Sequence, residues 1–434
     1  MRLVLLTFFL VASFGAGAAN LGEVYDLARL NDAQYAAARE AYRAGLEKLD
    51  QARALFRPSV TLSANLRSNN DHSSLNDADH SYGSSSATLS VVQPLLRLQN
   101  IQAYAQGELQ VQLSEQQLRQ AEQDLILRVG KAYFDALQAQ DVLESVRAQK
   151  ETFTQQLAQV QRSLEVGTVA ITELNEAQSK YDLTLAQEIA GRNDLEVKRR
   201  SLERIVDREL PSLARFDKSR SIGIGSAVES NDMIERASNE SLAVNIARLN
   251  RELALREAAK QDVASYPTLD LTATFNTGHN VTSPGSTTLM QTRQSAIGLE
   301  FSWPIFQGGG VSSRQREAAA NLSKAGFDLE NARRQSAFDA RQASLNALSG
   351  SAQVTALEQA LRSGETQVKS TRRGLEVGVR TRLDVLNAEQ QVYVTRRDLL
   401  AARYQTMIAA LQLKAAANAL SGQDLRALDA WLKP

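Results

Sequence analysis

Histidine and aspartate are adjacent at two places in the sequence. These pairs are the first candidates for metal binding. Asp71 precedes His72 and Asp79 precedes His80, while the remaining histidine is His279. Imidazole nitrogens and carboxylate oxygens bind divalent transition metals. All three histidines, however, fall in polar loops predicted between strands, where solvent exposure is the ordinary role. We expect no metal site and no cofactor.

A glycine run, Gly308-Gly309-Gly310, offers a second candidate, a loop that binds phosphate. It lacks the Lys-Ser/Thr that a nucleotide site needs, and it lies where a predicted strand is followed by a long helix. No Ser/His/Asp set or carboxylate pair recurs in an arrangement typical of hydrolases. The sequence therefore predicts that the protein is not an enzyme. Because no nucleotide-binding motif is found, any energy that its function needs must come from elsewhere.

The N-terminus indicates the compartment in which these residues work. Arg2 is followed by an apolar run over residues 3–11 and by small residues up to Ala19. The run is well short of the roughly 20 apolar residues that a membrane anchor needs. Residues 1–19 are therefore predicted to be a cleaved signal peptide, with the cut before Asn20. No later apolar stretch is long enough to predict a transmembrane helix.

Composition narrows the function classes further. The chain has no cysteine, which excludes a disulfide framework or a zinc cluster of cysteines. The 49 basic and 49 acidic residues balance, which gives no electrostatic case for nucleic acid. Aromatic residues make up only 6% of the sequence, fewer than a large globular core normally uses. Long helices with shallow cores fit this composition better.

Four short segments of the first half recur about 210 residues later, which indicates one supersecondary unit used twice. Two pairs are proline motifs, and two lie at or near predicted helix reversals. The pairs are 57–60 with 266–269, 93–96 with 303–306, 164–167 with 375–378, and 174–175 with 386–387.

Each repeat is predicted to contain a helix, two strands joined by a polar loop, a long helix, a tip and a returning helix. Val60, Leu62, Ala64 and Leu66 alternate with polar residues, as in a strand with one apolar face. Repeat 1, residues 20–224, has strands at 59–67 and 84–93, a long helix at 98–164, a tip at 165–170 and a helix at 171–208. Repeat 2, residues 225–434, has a helix at 230–265, strands at 268–276 and 292–303, a long helix at 311–375, a tip at 376–381 and a helix at 382–420.

The fold class is thus mainly α with a small β part. Apolar residues in the long helices follow one another by threes and fours, which predicts coiled-coil packing. Four strands cannot close a membrane barrel, and open sheet edges are not tolerated in lipid. Two chains would give eight strands and a filled interior, whereas three would give twelve and room for a channel. A soluble β-patch is the alternative.

The residues at the tips resemble the TolC family of Gram-negative outer-membrane channels, over roughly residues 21–431. The resemblance implies a homotrimer with a 12-stranded β-barrel in the outer membrane and a helical tunnel through the periplasm. It also implies a periplasmic adaptor and an inner-membrane transporter as partners, and small molecules or proteins as cargo. The segments that carry it are 164–173, 304–310 and 377–387.

The resemblance also assigns a candidate periplasmic gate. Asp384 matches one aspartate of a ring that favours cations, although Thr381-x-x-Asp384 equally fits a helix cap. Asn387 stands where the family has a second aspartate, and Arg380 matches the arginine that locks the gate.

The partners implied for Arg380 are Thr172, Glu173 and Gln156 on the neighbouring tip. Leu375 and Arg372 replace the family's locking tyrosine and an acid, so the network here is reduced or rewired. The docking tips for the adaptor are Val166, Gly167 and Thr168 in repeat 1 and Val377, Gly378 and Val379 in repeat 2. A periplasmic coiled-coil adaptor is the rival interpretation of the whole chain.

Overall fold

A computed structural model describes residues 18–73, 78–216, 227–281 and 289–433. Most of the predicted signal peptide, residues 1–17, lies outside the described residues. The helices are α1 (Leu21–Asn31), α2 (Ala33–Ala54), α3 (Leu98–Glu165), α4 (Ile171–Val206), α5 (Ala227–Glu240), α6 (Leu242–Asp262), α7 (Gly310–Glu376), α8 (Arg382–Ala416) and α9 (Gly422–Asp429). The strands are β1 (Ser59–Ser73), β2 (Ala78–Leu96), β3 (Arg215–Phe216), β4 (Thr268–Val281), β5 (Leu289–Ser302) and β6 (Leu432–Lys433).

The first helix of each repeat is broken, at Asp32 in repeat 1 and at Ser241 in repeat 2. Each break residue caps the helix that follows it. The Tyr35 N–H donates to Asp32 Oδ1 at 2.7 Å, and the Val244 N–H donates to Ser241 Oγ at 3.3 Å. Short polar side chains compete in this way for backbone donors. The continuous helix predicted at 230–265 is therefore two helices and a short 3₁₀ turn.

The chain divides into two compact units. One contains residues 40–118 and 245–332, and it includes a four-stranded antiparallel sheet in the order β1-β2-β4-β5. The strands extend beyond the predicted bounds, since Ser68–Ser73 pairs with Ala78–Gly83 through the backbone ladder. Polar side chains do not interrupt such a ladder, because its hydrogen bonds join main-chain groups. The predicted polar loops are correspondingly shorter.

The two faces of the sheet differ sharply in polarity. Leu62 lies opposite Leu89, which lies opposite Phe275 on the next strand, so these three share one face. Ile297 continues this face on β5, where its side chain is 77% exposed. The opposite face carries hydroxyl and amide groups, including a 3.3 Å hydrogen bond from Thr88 Oγ1 to Asn276 Oδ1. One face is therefore apolar and uncovered, and the other is polar.

An ion pair lies at one end of this sheet. Arg97, between β2 and α3, donates to Asp270 of β4 through Nε at 2.9 Å and through a terminal nitrogen at 2.5 Å. Asp270 is buried at 6% exposure. A bidentate pair fixes both side chains and stabilises the buried charge. It joins the start of α3 to the sheet.

The other unit contains residues up to 39, 119–244 and 333–434, and it is mostly helical. Its core includes the aromatic rings of Phe134, Tyr404 and Phe216, with ring centroids 5.9 and 6.2 Å apart in successive pairs. Tyr404 donates to Asp141 Oδ2 at 2.6 Å, and burial raises the pKa of the Tyr404 hydroxyl. The strands β3 and β6 pair beside this core.

Helix α8 is buried on two sides. Towards α3 it presents Tyr404, whereas towards α7 it presents Leu399 and Ala402, which pack against Val354. A thin core of this kind is what the low aromatic content predicts.

Candidate functional site

The two hairpin tips contain the same backbone turn. Gly167 and Gly378 have φ values of +73° and +77°, which side chains other than glycine rarely adopt. The N–H after each glycine donates to the carbonyl five residues earlier, at 2.9 Å in both tips. This is the Schellman arrangement that ends a helix. The duplication therefore supplies two helix reversals with the same turn.

The predicted docking residues lie at the outside of these turns. Val166, Val377 and Val379 are 73%, 74% and 75% exposed. Thr168 is also exposed, and its hydroxyl donates to the Ser163 carbonyl at 2.9 Å. Exposed valines in a hairpin turn have no role in a core of this chain. Their role in docking an adaptor stays a prediction.

Asp384 takes part in the N-cap of α8, which is the structural alternative to a role in the gate. The Asp384 N–H donates to Thr381 Oγ1 at 3.2 Å, and the Thr381 N–H donates to Asp384 Oδ2 at 2.9 Å. This reciprocal pair is a capping box. The backbone hydrogen bond from Thr381 lowers the pKa of the Asp384 carboxyl. Asp384 is half-exposed, so capping leaves its carboxylate accessible for a further role.

Three predicted gate residues share one cleft between α7 and α8. Arg380, Asp384 and Asn387 all line it. A Cβ built on Gly374 would lie 2.7 Å from Arg380 Cγ. Arg380 therefore lies across the backbone of α7, where only glycine leaves room. The cleft is polar and open, with one positive and one negative side chain at its edge.

Gln156 lies elsewhere and has a different partner. Its Nε2 donates to Glu389 Oε2 at 2.6 Å, and Arg372 Nε donates to Glu389 Oε1 at 3.0 Å. Glu389 is 5% exposed. These three residues come from α3, α8 and α7, so a buried carboxylate joins three helices of one chain. We call Gln156, Glu389 and Arg372 the carboxylate triad.

Thr172 and Glu173 begin α4 at the other tip. Thr172 is exposed and Glu173 is half-buried. Over the described residues, no hydrogen bond joins either side chain, or Gln156, to Arg380 within the chain. The predicted contacts of Arg380 belong to a neighbouring tip and stay a prediction.

Sequence reasoning missed Glu389, although its spacing carries a signal. Glu389, Arg396 and Arg403 follow at intervals of seven on α8, and each pairs with a residue of α7. The α7 partners are also seven residues apart. Opposite charges at heptad spacing on two antiparallel helices predict such a ladder. The pairs are Arg372 with Glu389, Glu365 with Arg396, and Glu358 with Arg403.

The histidines show no metal arrangement in the part of the chain with described side chains. His72 Nδ1 lies 2.8 Å from Asp79 Oδ1 across the β1–β2 pair. The side chain of His80 lies outside the described residues. Among the described residues, no group of three or more histidine and acidic side chains is placed to hold a metal ion.

No helix of the described ranges has an apolar stretch sufficient to cross a bilayer.

The comparisons with known proteins agree with this geometry. The family model described as outer membrane efflux protein matches residues 24–207 and 233–419, one match in each repeat. The outer membrane protein TolC of Vibrio cholerae is 31% identical, covering 99% of this chain and 98% of its own. The alkaline protease secretion protein AprF of Pseudomonas aeruginosa is 31% identical, covering 96% and 88%.

Solved structures show the same fold at lower identity. The Campylobacter jejuni CmeC outer membrane channel superimposes with a TM-score of 0.78 at 17% identity, covering 92% of this chain and 86% of that one. The CusC channel structure gives a TM-score of 0.78 at 16% identity, covering 92% of each chain. The proteins that this chain resembles are channels rather than enzymes.

The family model and the relatives thus identify the chain as an exit duct of the outer membrane. The chain belongs to the outer membrane efflux protein family, whose members include TolC, and the predicted membership is confirmed. Its location is the outer membrane, as the sequence predicts.

Proposed function

We propose that this exit duct works as a homotrimer with a 12-stranded barrel and a periplasmic helical tunnel. The observation that carries the proposal is the sheet. Over the described residues, β1 and β5 each pair on one side only, and one face is apolar and exposed. Unpaired strand edges cannot remain in lipid. Because β1 and β5 are antiparallel, β5 of one copy can pair with β1 of the next.

The helical unit leaves a matching surface uncovered. Phe338, Leu345 and Leu348 of α7 are 60%, 59% and 62% exposed, and Ile189 of α4 is 64% exposed. Helices α7 and α4 each bury only a narrow stripe within the chain. Packing of α7 against α4 of the next copy would cover these side chains. The same ring of copies that closes the sheet would then close the helices.

The trimer is tested by native mass spectrometry of the detergent-solubilised protein, with and without heating. Three copies per particle and a heat-dependent change of gel mobility are expected. Because the chain has no cysteine, single cysteines introduced on β1 and on β5 give a clean second assay. Disulfide-linked trimers should form only in the variant that carries a cysteine on both β1 and β5. That result would support the pairing of β5 with β1 of the next copy. A water-soluble monomer would contradict the proposal.

We place the periplasmic gate at the cleft of Arg380, Asp384 and Asn387. Three copies of Asp384 around one axis would favour cations, and Arg380 would bind Thr172 or Glu173 of the adjacent copy. Arg380→Ser and Asp384→Ala are expected to raise single-channel conductance in planar bilayers. Asn387→Asp adds a second carboxylate per copy and is expected to increase cation selectivity. Unchanged conductance and selectivity in all three variants would remove these residues from the gate.

The partners are a periplasmic adaptor and an inner-membrane transporter, with the adaptor packing on the exposed tip valines. The family model is described as an efflux protein and one relative as an alkaline protease secretion protein, so both small molecules and proteins are candidate cargo. Val166→Asp together with Val377→Asp should abolish co-purification of the adaptor and leave the trimer intact. Val60→Asp on the exposed sheet face is the contrasting variant, because it should impair membrane insertion instead.

A further inference from the structure

Ala19, the last residue of the predicted signal peptide, is built into the fold of the helical unit. It is 1% exposed and forms a parallel bridge with Leu213. Its N–H donates to the Ser212 carbonyl at 2.8 Å, and its own carbonyl accepts from the Ala214 N–H at 3.1 Å. A residue that is removed before folding cannot have these contacts. The position of the signal cut therefore has structural consequences.

A buried tyrosine depends on the same carbonyl. The Tyr133 hydroxyl lies 3.0 Å from the Ala19 oxygen and 3.2 Å from the Ala214 oxygen, and its side chain is fully buried. Both oxygens are acceptors, so the single hydroxyl proton is shared between them. Without Ala19, the Ser212 carbonyl and the Ala214 N–H would each lose a partner inside the fold. Buried backbone groups without partners are strongly disfavoured.

The surroundings of Ala19 also suit a positive charge. Gly22, three residues further on, donates its N–H to both carboxylate oxygens of Asp429 at 3.2 Å. Glu23 accepts the Asn20 N–H at 3.2 Å. Arg426 is the cation that faces Asp429. Burial and then the negative charges of Asp429 and Glu23 raise the pKa of Tyr133, which places both carboxylates within electrostatic reach. An α-ammonium group on Ala19 would be attracted to them.

We propose that the signal is removed after Ala18, so that the mature chain begins at Ala19, one residue before the position predicted from the sequence. Ala16 and Ala18 are then the two small residues of the cleavage site, which fits the A-x-A pattern. Ala18 is half-exposed, whereas Ala19 is buried. The inference rests on the proposed function in one respect, because export is what brings the chain to the signal peptidase.

The test is intact-mass analysis and N-terminal sequencing of the protein purified from outer membranes of a Gram-negative host. An N-terminal Ala19 is expected. A chain that begins at Asn20, or at any other residue after a cut, would overturn the inference and leave the export function standing. A chain purified from the outer membrane that retains Met1 would also overturn the inference, whereas absence of the protein from the outer membrane would contradict the proposed function instead.

Deletion of Ala19 provides a sharper comparison. The deletion keeps Ala16-Gly17-Ala18 in place, so its mature product begins at Asn20. If the native chain begins at Ala19, the deletion product is lighter by one alanine. Its trimer should also dissociate on heating roughly tenfold faster, because the bonds to Ser212, Ala214 and Tyr133 are lost. If native and deletion products have the same mass and heat stability, the cut lies after Ala19 and the inference is wrong.

Discussion

The two hairpin tips have the same backbone turn and different polar groups around it. Gly167 and Gly378 adopt nearly equal left-handed conformations, and the helix-ending hydrogen bonds are equivalent. The next helix, however, begins with Ala170 at one tip and with Thr381 at the other. Ala170 has no hydroxyl to accept the Glu173 N–H, so α4 has no side-chain cap, whereas Thr381 and Asp384 form a reciprocal pair. The duplicated turn thus has the same backbone at both tips. The difference is the Thr381 hydroxyl, which fixes Asp384 in a capping box that Glu173 does not form.

The returning helices differ in their packing as well. Helix α8 contacts α3 through Tyr404 and is joined to α7 by three ion pairs at heptad spacing. Helix α4 contacts α3 through the Lys150–Glu188 ion pair and α8 through Lys180 and Gln390. Over the described residues, the heptad ladder of ion pairs therefore distinguishes the second hairpin.

The largest effect is expected from the carboxylate triad, in which Arg372 and Glu389 of the second hairpin join Gln156 of the first. Arg372→Glu would place two carboxylates together and leave Glu389 without its cation. Because Glu389 is buried but Arg372 is 59% exposed, we expect a loss of about 1–3 kcal/mol, between the values for surface and buried pairs. We expect a lower thermal unfolding temperature in detergent and a higher channel conductance.

The matched control for this prediction is the double variant Arg372→Glu with Glu389→Arg, which restores opposite charges. It should recover most of the lost stability. If the single variant is as stable as the wild type, the triad does not hold α7, α8 and α3 together.

Replacing either turn glycine by alanine should lower stability by a similar amount, because the two turns have the same geometry. Gly167→Ala and Gly378→Ala each force a side chain into the left-handed region at a cost of about 1–2 kcal/mol. Thermal unfolding of the two variants measures the difference. Similar losses would support equivalent turns, whereas a loss at only one tip would show that the other turn rearranges without penalty.

Changes to the cap hydroxyl are expected to have a smaller effect on stability. Removing the hydroxyl at position 381 should lower stability, and adding one at position 170 should raise it. Thr381→Ala removes the cap of α8 and should lower stability by about 1 kcal/mol. Ala170→Thr offers the α4 N-terminus the same capping box with Glu173 and should raise stability by up to a similar amount. Amide hydrogen exchange of the first turn of each helix reports the local effect. An Ala170→Thr variant with unchanged exchange would contradict the equivalence.

The smallest expected effect is a pH dependence confined to the second tip. The pKa of Asp384 is lowered in the fold, so its contribution is complete above its unfolded pKa of about 3.9 and is lost as pH falls through the lower folded value. The stability difference between wild type and Asp384→Asn should be constant from about pH 7 to pH 5 and shrink below about pH 4. Glu173→Gln is the control. A difference that disappears near neutral pH would instead indicate repulsion within a carboxylate ring.

Local sequence patterns determined the architecture of the molecule. The recurrence of proline and glycine motifs predicted a duplicated unit, and alternation along Val60, Leu62, Ala64 and Leu66 predicted a sheet with one apolar face. Helix periodicity located α3 and α7, and the Thr381–Asp384 spacing indicated the cap. These features depend on neighbours in the chain or on a repeating period, so the sequence displays them directly.

Only the tertiary structure decided which distant groups meet. In the structure, the first helix of each repeat is interrupted, at Asp32 and at Ser241, and the strands extend through polar residues. Gln156 forms its hydrogen bond with Glu389. The structure also places Ala19 inside the fold, where a signal pattern had suggested its removal. Polar partners of this kind are fixed by the packing of helices that are far apart in sequence. Because any of several acids can satisfy a given donor, composition and spacing do not select among them until those helices are in place.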